Sequence, residues 1–142
     1  MTSGGAVHAV RTTARLLLGA FLVAAGISHL LVPAEFLAQV PPFLPAPGAV
    51  VLVSGIVEIA VGAAVLLAPA RLRPHAGLVA AALFVLVFPG NVAQYVTGTD
   101  AFGLDSDGAR ATRLLAQPLL VVWALWACGS GALLRRGRRR TA

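Results

Sequence analysis

Residues 49–68, AVVLVSGIVEIAVGAAVLLA, form an almost unbroken apolar run with one charged residue, Glu58. As a helix rising 1.5 Å per residue, such a run covers about 30 Å, the thickness of a bilayer's hydrocarbon core. Its Val, Leu and Ile side chains each favour insertion by about 0.3–0.6 kcal/mol, against a penalty of about 3 kcal/mol for a central acidic residue. Insertion wins by a narrow margin, so the segment is expected to be a transmembrane helix. Three further windows of similar length, 14–32, 76–96 and 114–134, have the same character. The expected fold is an all-α integral membrane protein, a four-transmembrane-helix bundle.

The whole chain agrees with that reading. Its 142 residues are 58% hydrophobic and only 11% charged, with a mean hydropathy of +0.88, more apolar surface than a soluble domain of this size can hide. The low charge argues against disorder, and the single cysteine, Cys128, against a disulfide scaffold. Arg11 and Arg15, which precede the apolar run of the first span, resemble the start of a signal peptide, but three more spans follow and no soluble mature domain does.

The net charge of +6 comes from arginines alone among the basic residues, and they cluster at span ends rather than among aromatics on a nucleic-acid-binding surface. No nucleic-acid partner is expected. Nine of the eleven fall on one side of the four-span scheme, at positions 11, 15, 71, 73, 135, 136, 138, 139 and 140, which places both termini in the cytoplasm. Residues 1–12 are then expected to be a flexible cytoplasmic N-terminus, 13–136 the membrane domain, and 137–142 an Arg-rich cytoplasmic tail that anchors the last span and touches anionic lipid.

Two loops face the other way. In PAEFLAQVPPFLPAPG, residues 33–48, Pro33 can open a short helix with Phe36, Leu37 and Val40 on one face, and Pro41, Pro42, Pro45 and Pro47 forbid its continuation. A short interfacial helix between the first and second spans is expected, either a tether or a lid. The second loop, residues 97–112, reads as solvated, and its Asp100, Asp105 and Asp107 lack the spacing of a calcium loop, so no metal site is assigned.

Polar residues inside the spans carry the functional information, because each costs insertion energy. Ser54, Gly55, Glu58 and Gly62 fall within about 100° on the second helix, so the carboxyl lies on a face whose small residues permit close packing. Gly19, Gly26 and His29 share an arc on the first helix. Phe84, Phe88, Asn91 and Gln94 do so on the third, and Arg113, Gln117, Ala124 and Gly131 on the fourth. His29, Ser54, Glu58, Asn91, Gln94, Arg113 and Gln117 are therefore the candidate small-molecule-binding residues, converging in the outer half of the bundle with Phe84 and Phe88 as apolar wall. Each has a plainer alternative. Glu58 could be packing glue, His29 and Arg113 could snorkel or cap, and Asn91 and Gln94 could satisfy backbone groups freed by Pro89. Trp123 and Trp126 read as packing.

No catalytic residue can be assigned. One cysteine cannot run a dithiol cycle, a single intramembrane histidine is too few for the usual bis-histidine haem, and no phosphate loop, nucleophile elbow or zinc spacing occurs.

The runs GISHLLVPAEFLAQVPPFLP, SGIVEIAVGAAVLL, FVLVFPGNVAQYV and RLLAQPLLVVWALWA together resemble the DoxX family of small bacterial four-helix membrane proteins. The most specific matches are His29, Val40 to Pro42, Ser54 to Glu58, and Phe88 to Val92. The resemblance implies a multi-pass protein of the bacterial plasma membrane, associated with quinone-linked oxidoreductase systems, with a quinone as the cofactor to consider. The expected partners are the lipid bilayer, cytosolic or membrane redox enzymes, and further copies of the chain. A structural scaffold without ligand or catalysis is the alternative, and solute or proton movement a weaker third.

Overall fold

Each of the long apolar runs folds as one helix, and none pairs as a strand among the described residues. The computed structural model describes residues 3–140. In chain order the helices are α1 (Ser3–Leu31), α2 (Pro33–Leu37), α3 (Pro47–Leu67), α4 (Arg73–Thr97), α5 (Asp107–Cys128) and α6 (Gly131–Arg140). Four of them, α1, α3, α4 and α5, are long and apolar enough to cross a membrane. The chain is a multi-pass membrane protein built as a four-helix bundle, with the short α2 between the first two spans.

The bundle is two antiparallel hairpins laid side by side, α1 with α3 and α4 with α5. In the first hairpin Gly26 lies opposite Gly55 and Gly19 opposite Gly62. A Cβ added to Gly26 would come within 2.5 Å of the Gly55 carbonyl oxygen, and one added to Gly62 within 2.8 Å of that of Gly19. Two glycine pairs, spaced seven residues apart along each helix, thus bring the backbones into direct contact. In the second hairpin Gly77 admits the Cys128 and Ser130 side chains, and the Ser130 hydroxyl donates to the Pro74 carbonyl at 2.8 Å. Leu18, Leu22, Val65, Ala80 and Ala124 fill the centre, all but inaccessible. Across the hairpins, Trp123 Nε1 donates to the Ala14 carbonyl at 3.0 Å and its ring lies against Phe21.

Several boundaries differ from the sequence reading. The expected flexible N-terminus is helical from Ser3, since nothing between there and Leu31 breaks the helix; Met1 and Thr2 lie outside the described residues. Arg15 is consequently not at a helix entrance. It is buried, and its guanidinium donates to the carbonyls of Val65 and of Leu66, the latter at 2.9 Å. Those are orphan carbonyls at the C-terminal end of α3, where a cation is favoured.

The fourth span runs from Asp107 to Cys128 rather than over 114–134. Ser106 caps its start by accepting from the Ala109 N–H at 3.3 Å, and Gly129, at φ 78°, ends it in a left-handed turn. Gly108 to Thr112, expected in a solvated loop, are therefore helical. The Arg-rich tail is helical from Gly137 to Arg140 as the end of α6, and Thr141 and Ala142 lie outside the described residues.

Candidate functional site

Close packing of α1 on α3 sets the first pair of polar residues. Because Gly55 has no side chain, the His29 Cβ can lie where a neighbour's Cβ would otherwise be, 2.7 Å from that position. The imidazole Nδ1 then stands 3.4 Å from Glu58 Oε2, with both side chains about nine-tenths buried. That Nδ1 also lies 3.0 Å from the Ala25 carbonyl, which can only accept, so its hydrogen is spent there. Glu58 Oε2 is left inaccessible to solvent and without a hydrogen-bond partner among the described residues.

The second set of polar residues joins α4 to α5. Asn91 Nδ2 donates to Gln117 Oε1 at 2.9 Å, and Gln117 Nε2 donates to the Phe84 carbonyl at 2.6 Å. Both amides are buried. Gln117 thus bridges side chain and backbone of the neighbouring helix, and Asn91 does not serve a carbonyl freed by Pro89.

Between these two sets lies a cavity of about 650 Å³, within the range of small-molecule sites. His29, Ser54, Glu58, Asn91, Arg113 and Gln117 all line it, with Phe84 as apolar wall. Six of the seven candidate residues share one space. The seventh, Gln94, lies beyond its rim, where it donates to the carbonyls of Thr99 at 3.3 Å and Ala101 at 3.4 Å and accepts from Arg113 at 3.3 Å. Phe88 is not on the wall either. The lining face of α4 is centred on Leu83, Val87 and Gly90, and a residue one step along is turned by about 100°.

Over the cavity sits an aromatic cover. Phe36 of α2 stacks on His29 with centroids 3.6 Å apart, and Phe102 meets Phe36 edge-on at 4.7 Å. The Arg113 guanidinium lies 5.1 Å from the Phe102 ring centroid. Phe102 has a φ of 55°, a conformation that costs a non-glycine residue about 1–2 kcal/mol. Its backbone N–H donates to Glu35 Oε2 at 2.6 Å, holding α2 against the loop between α4 and α5. The loop is closed by Arg110, which donates to Asp100 at 2.8 Å, Asp107 at 2.9 Å and the Leu104 carbonyl at 3.1 Å.

Sequence reasoning missed Gln39, Arg110 and the cover formed by Phe102. Gln39 is buried and lines the cavity from the proline-rich segment. A lone amide in PAEFLAQVPP, four residues after Glu35, was the available signal. Arg110 and Phe102 had none, because their partners come from loop geometry.

A family model described as a domain of unknown function, DUF8561, matches residues 18–128. The chain belongs to the DUF8561 family. The matched span contains all seven candidate residues and the cover, and leaves out α6 and the first turns of α1, so in this DUF8561 member the cavity lies wholly within the family domain. No curated protein and no solved structure matches the chain.

Proposed function

We propose that this protein is a membrane subunit or partner of a quinone-linked redox system, as its resemblance to the DoxX family suggests. In this reading the interhelical cavity holds a quinone-like or other small amphipathic molecule. It belongs to the bacterial plasma membrane with both termini in the cytoplasm, following the arginine distribution, and the cavity lies in the outer half of the bilayer. Its partners are redox enzymes or further copies of the chain. The observation that carries the ligand reading is Glu58 Oε2, buried on the wall of a mostly apolar cavity with no protein hydrogen bond. A polar atom left unpaired in such a place costs about 1–3 kcal/mol, a cost that a ligand's donor would remove.

The scaffold reading is favoured by a different observation, the Asn91–Gln117–Phe84 chain, whose two hydrogen bonds tie α4 to α5 without any ligand. Native mass spectrometry of the purified protein separates the two. Wild type should carry a reproducible small molecule that Glu58→Leu and His29→Ala lose. A ligand-free wild type, with both variants functional in cells, would leave the scaffold.

A further inference from the structure

The cavity walls are unequal. On the side of α1 and α5 Leu22, His29 and Gln117 are buried, and the partly exposed Phe21 lies against Trp123, whose indole N–H ties α5 to the Ala14 carbonyl of α1. On the other side, between α3 and α4, the lining is exposed. Val53 and Val57 of α3 and Leu86 of α4 line the cavity, yet are 57%, 40% and 75% exposed. These are apolar side chains at mid-helix in membrane spans, so what they are exposed to is hydrocarbon.

The polar atoms left over inside define the head group. Glu58 Oε2 lacks a partner. The Asn91 amide N–H is committed to Gln117. Ser28, Thr97 and Thr112 each give their hydroxyl to the carbonyl four residues back, whereas Ser54, one turn from Glu58 on the same face, makes no such bond. Arg113, on the opposite wall, spends one N–H on Gln94. The site therefore offers acceptors and donors side by side. A carboxylate head would meet the Glu58 carboxyl, and a ketone or ether, which can only accept, would serve Glu58 solely in its protonated form. A hydroxyl does both tasks.

We propose that the gap between α3 and α4 is a side door to the bilayer, through which the cavity admits a lipid-dissolved, long-chain phenol or alcohol. Its hydroxyl donates to Glu58 Oε2 and accepts from Ser54 or Arg113, while its tail leaves between Val53, Val57 and Leu86. This rests on the ligand-binding reading above and adds the route and the head group, which is a hydroxyl, as in a reduced quinol, rather than a quinone carbonyl.

The test uses the full chain in lipid nanodiscs and three probes of one tail length: 4-nonylphenol, 4-nonylanisole and nonylbenzene. The phenol should bind about tenfold more tightly than the anisole, the value of about one hydrogen bond, and the anisole no better than the hydrocarbon. Ser54→Ala should weaken the phenol severalfold. Leu86→Trp, which plugs the gap without touching a polar group, should lose 4-nonylphenol but keep 4-ethylphenol, whose binding also shows that the variant is folded. If phenol and anisole bind alike, the hydroxyl assignment is wrong while the cavity reading stands. If Leu86→Trp binds 4-nonylphenol as wild type does, the door is wrong. If none of the probes binds, the ligand reading falls with them.

Discussion

Helix α3 has two edges that behave in opposite ways. Along one, Gly55 and Gly62 meet Gly26 and Gly19 of α1 backbone to backbone, with no room for a methyl group. Along the other, Val53 and Val57 stay exposed and line the cavity that α3 shares with α4. The tight edge is what makes the open edge useful. By pressing α1 onto α3 it fixes His29 beside Glu58 and turns both toward the space that α4 does not fill. In a bilayer, where burying apolar surface gives helices little reason to associate, close packing of small residues must supply the rigidity. The lesson is that the site is positioned by glycines that do not line the cavity.

The largest effect should therefore come from the closed edge. Gly26→Leu drives a side chain into the Gly55 carbonyl and the Ile59 backbone, and overpacking of this kind costs about 1–3 kcal/mol or more. The expected outcome is loss of the folded bundle, or a large drop in thermal midpoint in detergent. A wild-type melting curve would mean that the hairpin is not held by its glycine pairs. Gln117→Leu comes next, since it removes two interhelical hydrogen bonds and leaves Asn91 Nδ2 without its acceptor. Membrane hydrogen bonds average about 0.6 kcal/mol and reach about 1.7, so a loss of about 1–2 kcal/mol is expected by thermal or denaturant unfolding.

Glu35→Ala should be milder. It frees the Phe102 N–H at an exposed site, and hydrogen exchange at Phe102 and over Pro33–Leu37 should quicken with little change in global stability. At the open edge Leu86→Ala should cost almost nothing, because that side chain faces lipid rather than a packed neighbour. A destabilisation matching that of Gly26→Leu would show that α3 and α4 are packed together after all.

Much of this was legible in the sequence, for identifiable reasons. Apolar runs of spanning length can only be helices in lipid, and the 3.6-residue period puts Ser54, Gly55, Glu58 and Gly62 on one face whatever surrounds them. What a single helix cannot disclose is which neighbour each face meets and how closely. Hydropathy assigned Arg15 to the interface because it sees a charge, whereas the fold pairs that charge with carbonyls of Val65 and Leu66, fifty residues away. Phe88 sits within the right arc on a wheel but one step past the wall, a difference decided by where α3 and α5 approach. The gap itself leaves no trace in sequence, since valines that line a cavity and valines that face lipid are the same valines.

A bromine atom can report directly on whether the space beside Glu58 takes up a ligand. Crystals grown with 4-bromophenol should show a bromine anomalous peak among Val57, Phe84 and Val87, with the phenol oxygen within hydrogen-bonding distance of Glu58. A map with no peak between α3 and α4, or with bromine only on the lipid-facing surface, would contradict the ligand-binding reading.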